Sequence, residues 1–372
     1  MKYQELRDLV KNWKKHKGCI NKERSPLINP GFLGTFNLSF TEDFWLKEYG
    51  RFVDFDHDLI FSTIQSCIRP QDIMLTNTKD SWKYLGVFEM ADLNGFLTLA
   101  KRPDFDKLQK QQIKELMKFL KHLGFSPNQI YPSYNIGGKV RDITKGKYNF
   151  DFTIPEDKIS KQGFLEAGIP EKNLIKDKTR NTLLALHIYR PSPWGYRNEI
   201  NINIGPDEKP LLLDIATIEY TIWKPEFKGD NSIASNIIGL KNSGDGFSIV
   251  AVGLERLNVI INKLKIIQDV DYVKPIYEKW KEIISKENIL TIESLRALHR
   301  IYSDITSYKL IPGWHQNKKI KHLLQNIPKD VSLEKIESLL LVHAKNQPWH
   351  KNLKQGINPT IERINKYRNS KK

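Results

Sequence analysis

The chain has 372 residues, 40% hydrophobic and 27% charged, with a formal net charge of +16. That length suits two domains and a sizeable core, and the composition excludes a disordered, collagen-like or disulfide-framework protein. A basic balance favours polyanionic partners, either nucleic acid or nucleotide phosphates, although the lysines are spread along the whole sequence, as in a chain that uses them for solubility alone.

No apolar run nears the length of a membrane span; Leu339-Leu340-Leu341-Val342 is among the longest. The N-terminal residues lack the apolar core of a signal peptide. Cys19 and Cys67 make neither a disulfide framework nor a zinc site. A cytoplasmic protein with two reduced thiols, no metal centre and no membrane partner is the expectation.

Taken in order, residues 2–17 read as a helix, with Leu6, Leu9, Val10 and Trp13 at helical spacing and Gly18 as the stop. Phe32 to Phe40 alternates aromatic and aliphatic residues, and Phe44-Trp45 adds aromatic mass. Ile64 to Arg69 reads as a strand ended by Pro70, and Trp82 to Met90 has strand character. Residues 104–123 carry a long apolar helical stripe, Phe105 to Leu123. Tyr148 to Ile154 is strand-like and Ser160 to Ala167 a short helix. Asn198 to Ile204 and Leu211 to Trp223 are strand candidates, the first with polar–apolar alternation. After Arg256 the pattern turns helical: 257–267, 274–286, 291–303, 316–325 and 332–344, with Lys366 to Lys372 expected as a frayed tail. An antiparallel-sheet α+β domain over 1–256 therefore precedes an all-helical domain over 257–372.

One stretch organises the chain. Gly244-Asp245-Gly246 leads into the apolar run Phe247 to Val252, then Gly253-Leu254-Glu255-Arg256-Leu257. A glycine at a strand end followed by an arginine at a helix start can aim one guanidinium into a pocket, where its planar fork stacks on a base or grips a phosphate. Arg69, Lys83, Glu89, Glu199, Asp214, Glu219 and Arg256 all sit in or beside strand-like segments. Surface salt bridging would satisfy any one of them. Together they suit a nucleotide plus a zwitterion, with cations for phosphates and carboxylates for an amine or for magnesium.

The order of segments resembles the N-terminal part of class II alanyl-tRNA synthetases. The resemblance rests on Leu6 to Gly18, Ser25 to Phe40, Gln65-Ser66-Cys67-Ile68-Arg69, Val87-Phe88-Glu89-Met90 (similar to the end of motif 2), Ala167 to Ile175, Gly253 to Leu257 (similar to motif 3) and Leu295-Arg296-Ala297-Leu298. It implies a class II synthetase-like antiparallel sheet with flanking helices, followed by helices resembling the tRNA-binding region. The family's editing and C-terminal domains find no match. It also implies an ATP- and Mg2+-dependent ligase that makes an aminoacyl adenylate from alanine or another small amino acid. The acyl group then passes to tRNA or another acceptor.

Carried over by position, the resemblance assigns Lys83, Phe88, Glu89, Met90, Glu219, Gly253 and Arg256 to ATP, with Lys83 and Arg256 catalytic. Glu199, Asp214, Asp245 and Ile249 fall to the amino acid. Arg69 looks structural or tRNA-proximal. The basic run holding Lys318, Lys319 and Lys321, preceded by Trp314 and His315, falls to RNA; a solvated helix face is the plain reading of the same run.

The sequence departs from the pattern in three places. Lys83 stands where the motif 2 arginine is expected and lacks its bidentate fork. Ile249 stands where an aspartate holds the amine, leaving Asp214 or Asp245 to substitute. The family's tryptophan has no match near Asn181 to Leu184, and Trp194 is not its equivalent. These departures keep open a paralogue that acylates a small molecule, a peptide or a carrier protein, and a decayed, non-catalytic RNA-binding or regulatory protein.

Overall fold

The structure is a computed structural model that describes residues 1–13, 20–21, 23–28, 36, 59–98, 102–185, 193–206, 208–230, 234–243, 246–284 and 288–370. The expectations on Gly18, Cys19, Phe44-Trp45, Gly244 and Asp245, and on Phe32 to Phe40 apart from Phe36, lie outside them.

In chain order the elements are α1 (Tyr3–Asn12), β1 (Ile20–Asn21), β2 (Leu59–Ile68), α2 (Pro70–Leu75), β3 (Val87–Thr98), α3 (Arg102–His122), β4 (Ile130–Asn135), β5 (Gly138–Lys139), α4 (Val140–Ile143), β6 (Thr153–Ile154) and α5 (Lys158–Glu166). There follow β7 (Ile175–Asp177), β8 (Leu183–Ala185), β9 (Trp194–Asn203), β10 (Leu212–Phe227), β11 (Ile237–Asn242), β12 (Gly246–Gly253) and α6 (Leu254–Ile261). The rest is helical: α7 (Lys274–Ile283), α8 (Ile289–Tyr308), α9 (Trp314–Gln325), α10 (Leu333–Lys345) and α11 (Ile357–Asn369).

Ten strands form one sheet in the order β1-β2-β3-β12-β10-β9-β4-β7, with β11 on β10 and β8 on β9. The central pairings, β2–β3, β3–β12, β12–β10 and β10–β9, are antiparallel. The expected α+β architecture, a mixed and mainly antiparallel sheet with flanking helices followed by a helical region, is what the chain adopts. The boundary drawn at 256/257 falls inside α6, and one hydrophobic cluster runs from Tyr3 and Leu6 through the sheet to Leu339 and Ile364.

α3 forms where the apolar stripe predicts it, burying Phe105, Ile113, Leu116 and Leu120. α5 lies close on it, because Gly163 carries no side chain; a Cβ there would come within 2.7 Å of Ile113 Cδ1. Three expectations fail. Of Tyr148 to Ile154 only Thr153–Ile154 pairs, while Tyr148 and Phe150 instead fill an aromatic cluster against Trp194. Trp82 to Met90 is a strand only from Val87, since Ser81–Lys83 is a 3-10 turn. The C-terminal residues through Asn369 are helix, fastened by Arg368 Nη2 donating to Pro328 O at 2.6 Å. Among the described residues no helix is long and apolar enough to cross a membrane.

Candidate active site

One cavity of about 380 Å3 opens on the sheet face over β3, β12, β10 and β9, within the range of ligand pockets. Each strand presents alternate residues to it. β3 contributes Phe88 and Met90, β12 Ala251 and Gly253, β9 Arg197 and Glu199, and β10 Thr217 and Glu219. Asp214 joins them because of a bulge. The β9–β10 register slips between Asp214 and Ala216, so Ile215 is the extra residue and Asp214 pairs with Asn201, on the same face as Glu199 and Arg197.

The cations come from the strand ends. Arg69 leaves β2 in an extended conformation just before Pro70 starts α2, and its guanidinium lies 5.0 Å over the Phe88 ring. Lys83 closes the 3-10 turn before β3, 3.8 Å from Asp80 and 5.5 Å over Tyr84. Arg256 stands in the first turn of α6, which Gly253 caps without a side chain. Its Nη1 pairs with the Asp214 carboxylate and donates to Asp214 O at 3.0 Å, while its carbon lies 5.6 Å over the Tyr84 ring.

The carboxylates sit on the far strands. Arg197 Nε donates to Glu219 Oε1 at 2.7 Å across β9–β10. Glu199 accepts from Thr217 Oγ1 at 3.1 Å. Burial raises the Glu199 pKa; Arg197 opposes the shift and Asp214 adds to it. Asp72, on α2, is also raised by burial, against Arg69 and Arg256. Both carboxylates stand to gain from an incoming cation.

Lys83, Phe88, Met90, Glu199, Asp214, Glu219, Gly253 and Arg256 line one cavity. Three assignments change. Glu89 is turned away by the strand's alternation; it is 2% exposed and pairs with Arg7 on the opposite face. Ile249 shares the cavity face, opposite Glu219, but is 1% exposed and outside the lining; an isoleucine binds no ammonium. Arg69, read as structural or tRNA-proximal, lines the cavity beside Lys83. Trp194 is 0% exposed in the aromatic cluster and does not reach the cavity.

The sequence reading missed Arg197, Asp72 and Tyr84. The signal for Arg197 was present in the i, i+2 pattern Arg197, Glu199, Asn201 on a strand whose other face is apolar but for Asn198. Gly253 is not demanded by the fold, since a Cβ would meet only Ile215 O at 3.7 Å. Its smallness leaves room on the cavity side.

On α9, Lys318 and Lys321 are exposed and Lys319 is half-buried, its pKa lowered by burial. Lys318 Nζ lies 5.9 Å over Trp314, which is 71% exposed. No group of three or more His, Cys, Asp or Glu side chains suited to a metal occurs among the described residues.

No protein-family model and no curated protein matches the chain. Among solved structures, pyrrolysyl-tRNA synthetase from Desulfitobacterium hafniense aligns over 72% of this chain and 72% of that one, at 13% identity and a TM-score of 0.32. A second structure of a pyrrolysyl tRNA synthetase from that organism aligns over 72% and 71%, at 11% identity and a TM-score of 0.31. Likeness this loose leaves the functional reading to the cavity.

Proposed function

We propose that the chain is an ATP-dependent amino-acid-activating ligase of the class II aminoacyl-tRNA synthetase type. The observation that carries this is the convergence of Arg69, Lys83 and Arg256 with Glu199, Asp214 and Glu219 around one cavity walled by Phe88. In this reading the base lies between Phe88 and the Arg256 side of the cavity, and Arg69 and Lys83 neutralise charge on the phosphates. The amino-acid carboxylate attacks the α-phosphorus and pyrophosphate leaves. The protein supplies no nucleophile of its own; it holds the reacting groups in line and offsets the developing charge.

Glu199 and Asp214 are the residues that would hold Mg2+ carried in by the polyphosphate. Their mutual proximity and the raised Glu199 pKa fit an oxygen-ligated cation. The ion would supply charge neutralisation at the phosphates. Glu219, in the same lining, is left to face the amine of the amino acid.

The acceptor is proposed to be tRNA. Support comes from the exposed outer face of α9, where Trp314, Lys318 and Lys321 combine a stacking ring with positive charge. ATP–pyrophosphate exchange with each common amino acid is the test. Exchange with one or a few amino acids is expected, and no exchange with any of them rejects the activation reading. Exchange with alanine tests the narrower family resemblance, which Ile249 in place of a carboxylate argues against.

A further inference from the structure

At the cavity wall, where Glu255 is one of the lining residues, and behind it, groups from separate elements meet in a buried cluster. Glu255, the residue before Arg256, is 1% exposed. Its carboxylate accepts the Glu89 backbone N–H on both oxygens, at 3.0 and 3.1 Å. It also accepts the hydroxyls of Tyr3 at 2.9 Å and Tyr272 at 2.5 Å. Glu89 stands between the cavity residues Phe88 and Met90. Its own carboxylate pairs with Arg7, lies 2.9 Å from the Tyr3 oxygen, whose one hydrogen serves either carboxylate but not both, and lies 3.0 Å from His350 Nε2. His350 belongs to the segment between α10 and α11. Its Nδ1 lies 2.7 Å from Arg300 Nη2, which can only donate, so the ring proton sits on Nε2, facing Glu89. One cluster therefore touches the Phe88–Met90 wall, the first turn that aims Arg256, helix α1 and the C-terminal helices.

We propose that Glu255 is a positioning residue for the nucleotide, and that the Glu255–Glu89 pair is a latch by which the C-terminal helices set the nucleotide end of the cavity. The proposal rests on the ATP reading above and concerns its regulation. An ionised Glu255 accepts every bond it is offered, holding the β3 wall against the α6 turn. A protonated Glu255 is a neutral acceptor, so the bonds it receives from the Glu89 N–H and the Tyr272 hydroxyl lose their charge assistance and the grip loosens.

The two carboxylates cannot share this space equally. Burial pushes Glu89 up, but Arg7 and His350 outweigh it and hold its carboxyl below the usual range. Burial, with the Glu89 charge added, raises Glu255 to about 7; the Tyr272 and Tyr3 hydroxyls and the Glu89 N–H oppose the shift. The charged or titratable groups facing Glu255 are Tyr3 and Arg7 from α1, Glu89 from β3 and Tyr272 before α7. Arg296 of α8 lies 5.9 Å over the Tyr272 ring, and beyond Glu89 stand His350 and Arg300. Glu255 is the member whose charge changes near neutrality, so nucleotide affinity rises as pH rises through its pKa.

The test is calorimetric titration of the full chain with ATP at saturating Mg2+, from about pH 5.5 to about pH 8.5. Wild type, Glu255→Gln, Tyr272→Phe and His350→Gln are compared, with circular dichroism as the check on folding. The ATP phosphates titrate alike throughout, so the difference between profiles reports Glu255. Wild-type affinity is expected to rise about 3- to 10-fold across neutrality. Glu255→Gln should flatten the rise. Tyr272→Phe removes a donor to the ionised form and should move the midpoint upward. His350→Gln should weaken ATP binding from outside the cavity.

In a folded protein, a Glu255→Gln profile that matches wild type, an unmoved Tyr272→Phe midpoint or an unchanged His350→Gln affinity each overturns the latch. If Glu255→Gln does not fold, Tyr272→Phe decides. Wild type that binds no ATP overturns the nucleotide reading and the latch with it.

Discussion

The two faces of the central sheet are both dense in charge, and they do opposite things with it. On the cavity face the charged side chains keep water contact: Arg256 is 18% exposed, Asp214 47% and Arg197 33%. Behind the sheet, α8 and its neighbours hold Arg296 at 1% and Glu293 at 0%. There Glu293 accepts from Arg296 Nη1 at 2.6 and 2.7 Å, from Tyr277 at 2.6 Å and from the Gly86 N–H at 2.5 Å. The rear charges are consumed in holding the helices to the sheet, whereas the cavity charges remain addressable by a ligand. Charge density alone does not mark a site; what separates the two faces is how far their groups stay open to water.

The largest expected effect is reciprocal. Glu293→Ala leaves Arg296 buried without its partner and should cost about 3–5 kcal/mol, seen as a large drop in denaturation midpoint. Arg256→Ala should lower adenylate formation by about 100-fold or more, with little change in melting temperature, because its ion pair stays partly open to water. Equal thermal losses for the two variants would erase the distinction between the faces.

Acid should act next, and on the rear face. Burial lowers the pKa of His299 to about 4 and holds His343 and His350 well below the usual value. A group with a depressed folded pKa contributes stability above its unfolded value, here about 6.5, that is lost as pH falls toward the folded one. His299 alone represents about 3 kcal/mol over that window. Glu255 has the opposite sign. Its raised pKa favours the folded state at low pH, and that contribution fades as pH rises from about 4.5 to about 7. Glu255→Gln should therefore make the acid loss steeper. Urea midpoints measured between about pH 7 and about pH 5 check both; a midpoint indifferent to pH would mean the histidines are not buried neutral.

Gly253→Ala should weaken ATP binding about 10-fold while moving stability by less than about 1 kcal/mol, since the fold has room for the methyl group. Equal loss in both would assign Gly253 to the fold. The smallest effect is expected on α9. Lys318→Ala and Lys321→Ala should each weaken RNA binding by only a few-fold and lower its salt dependence, with adenylate formation unchanged. Filter binding at two salt concentrations reads this.

Much of the fold was legible in the residues. Strong periodicity placed α3 and four of the helices after Arg256 within a few residues, because burial of one face repeats every turn. Six of the seven ionisable residues singled out from the strands do share a cavity. Glu89 was the exception for a simple reason: it neighbours Phe88, and in a strand neighbours face opposite ways. The place of Arg69 in the cavity lining was not legible, because it depends on β2 ending beside Phe88, a pairing between separate strands. Tyr148 to Ile154 looked like a strand because aromatic residues suit strands and aromatic cores alike.

By itself the sequence determined composition, charge, the run of helices and the residue types able to meet a nucleotide and a zwitterion. These follow from local periodicity and chemistry. Tertiary structure decided which of those residues face one another. The bulge at Ile215 brings Asp214 onto the face of Glu199, a shift of one residue that no local pattern encodes. Likewise the Glu255–Glu89 contact joins residues 166 apart in sequence. Such contacts are fixed by strand register and by the packing of the core, which are properties of the whole chain.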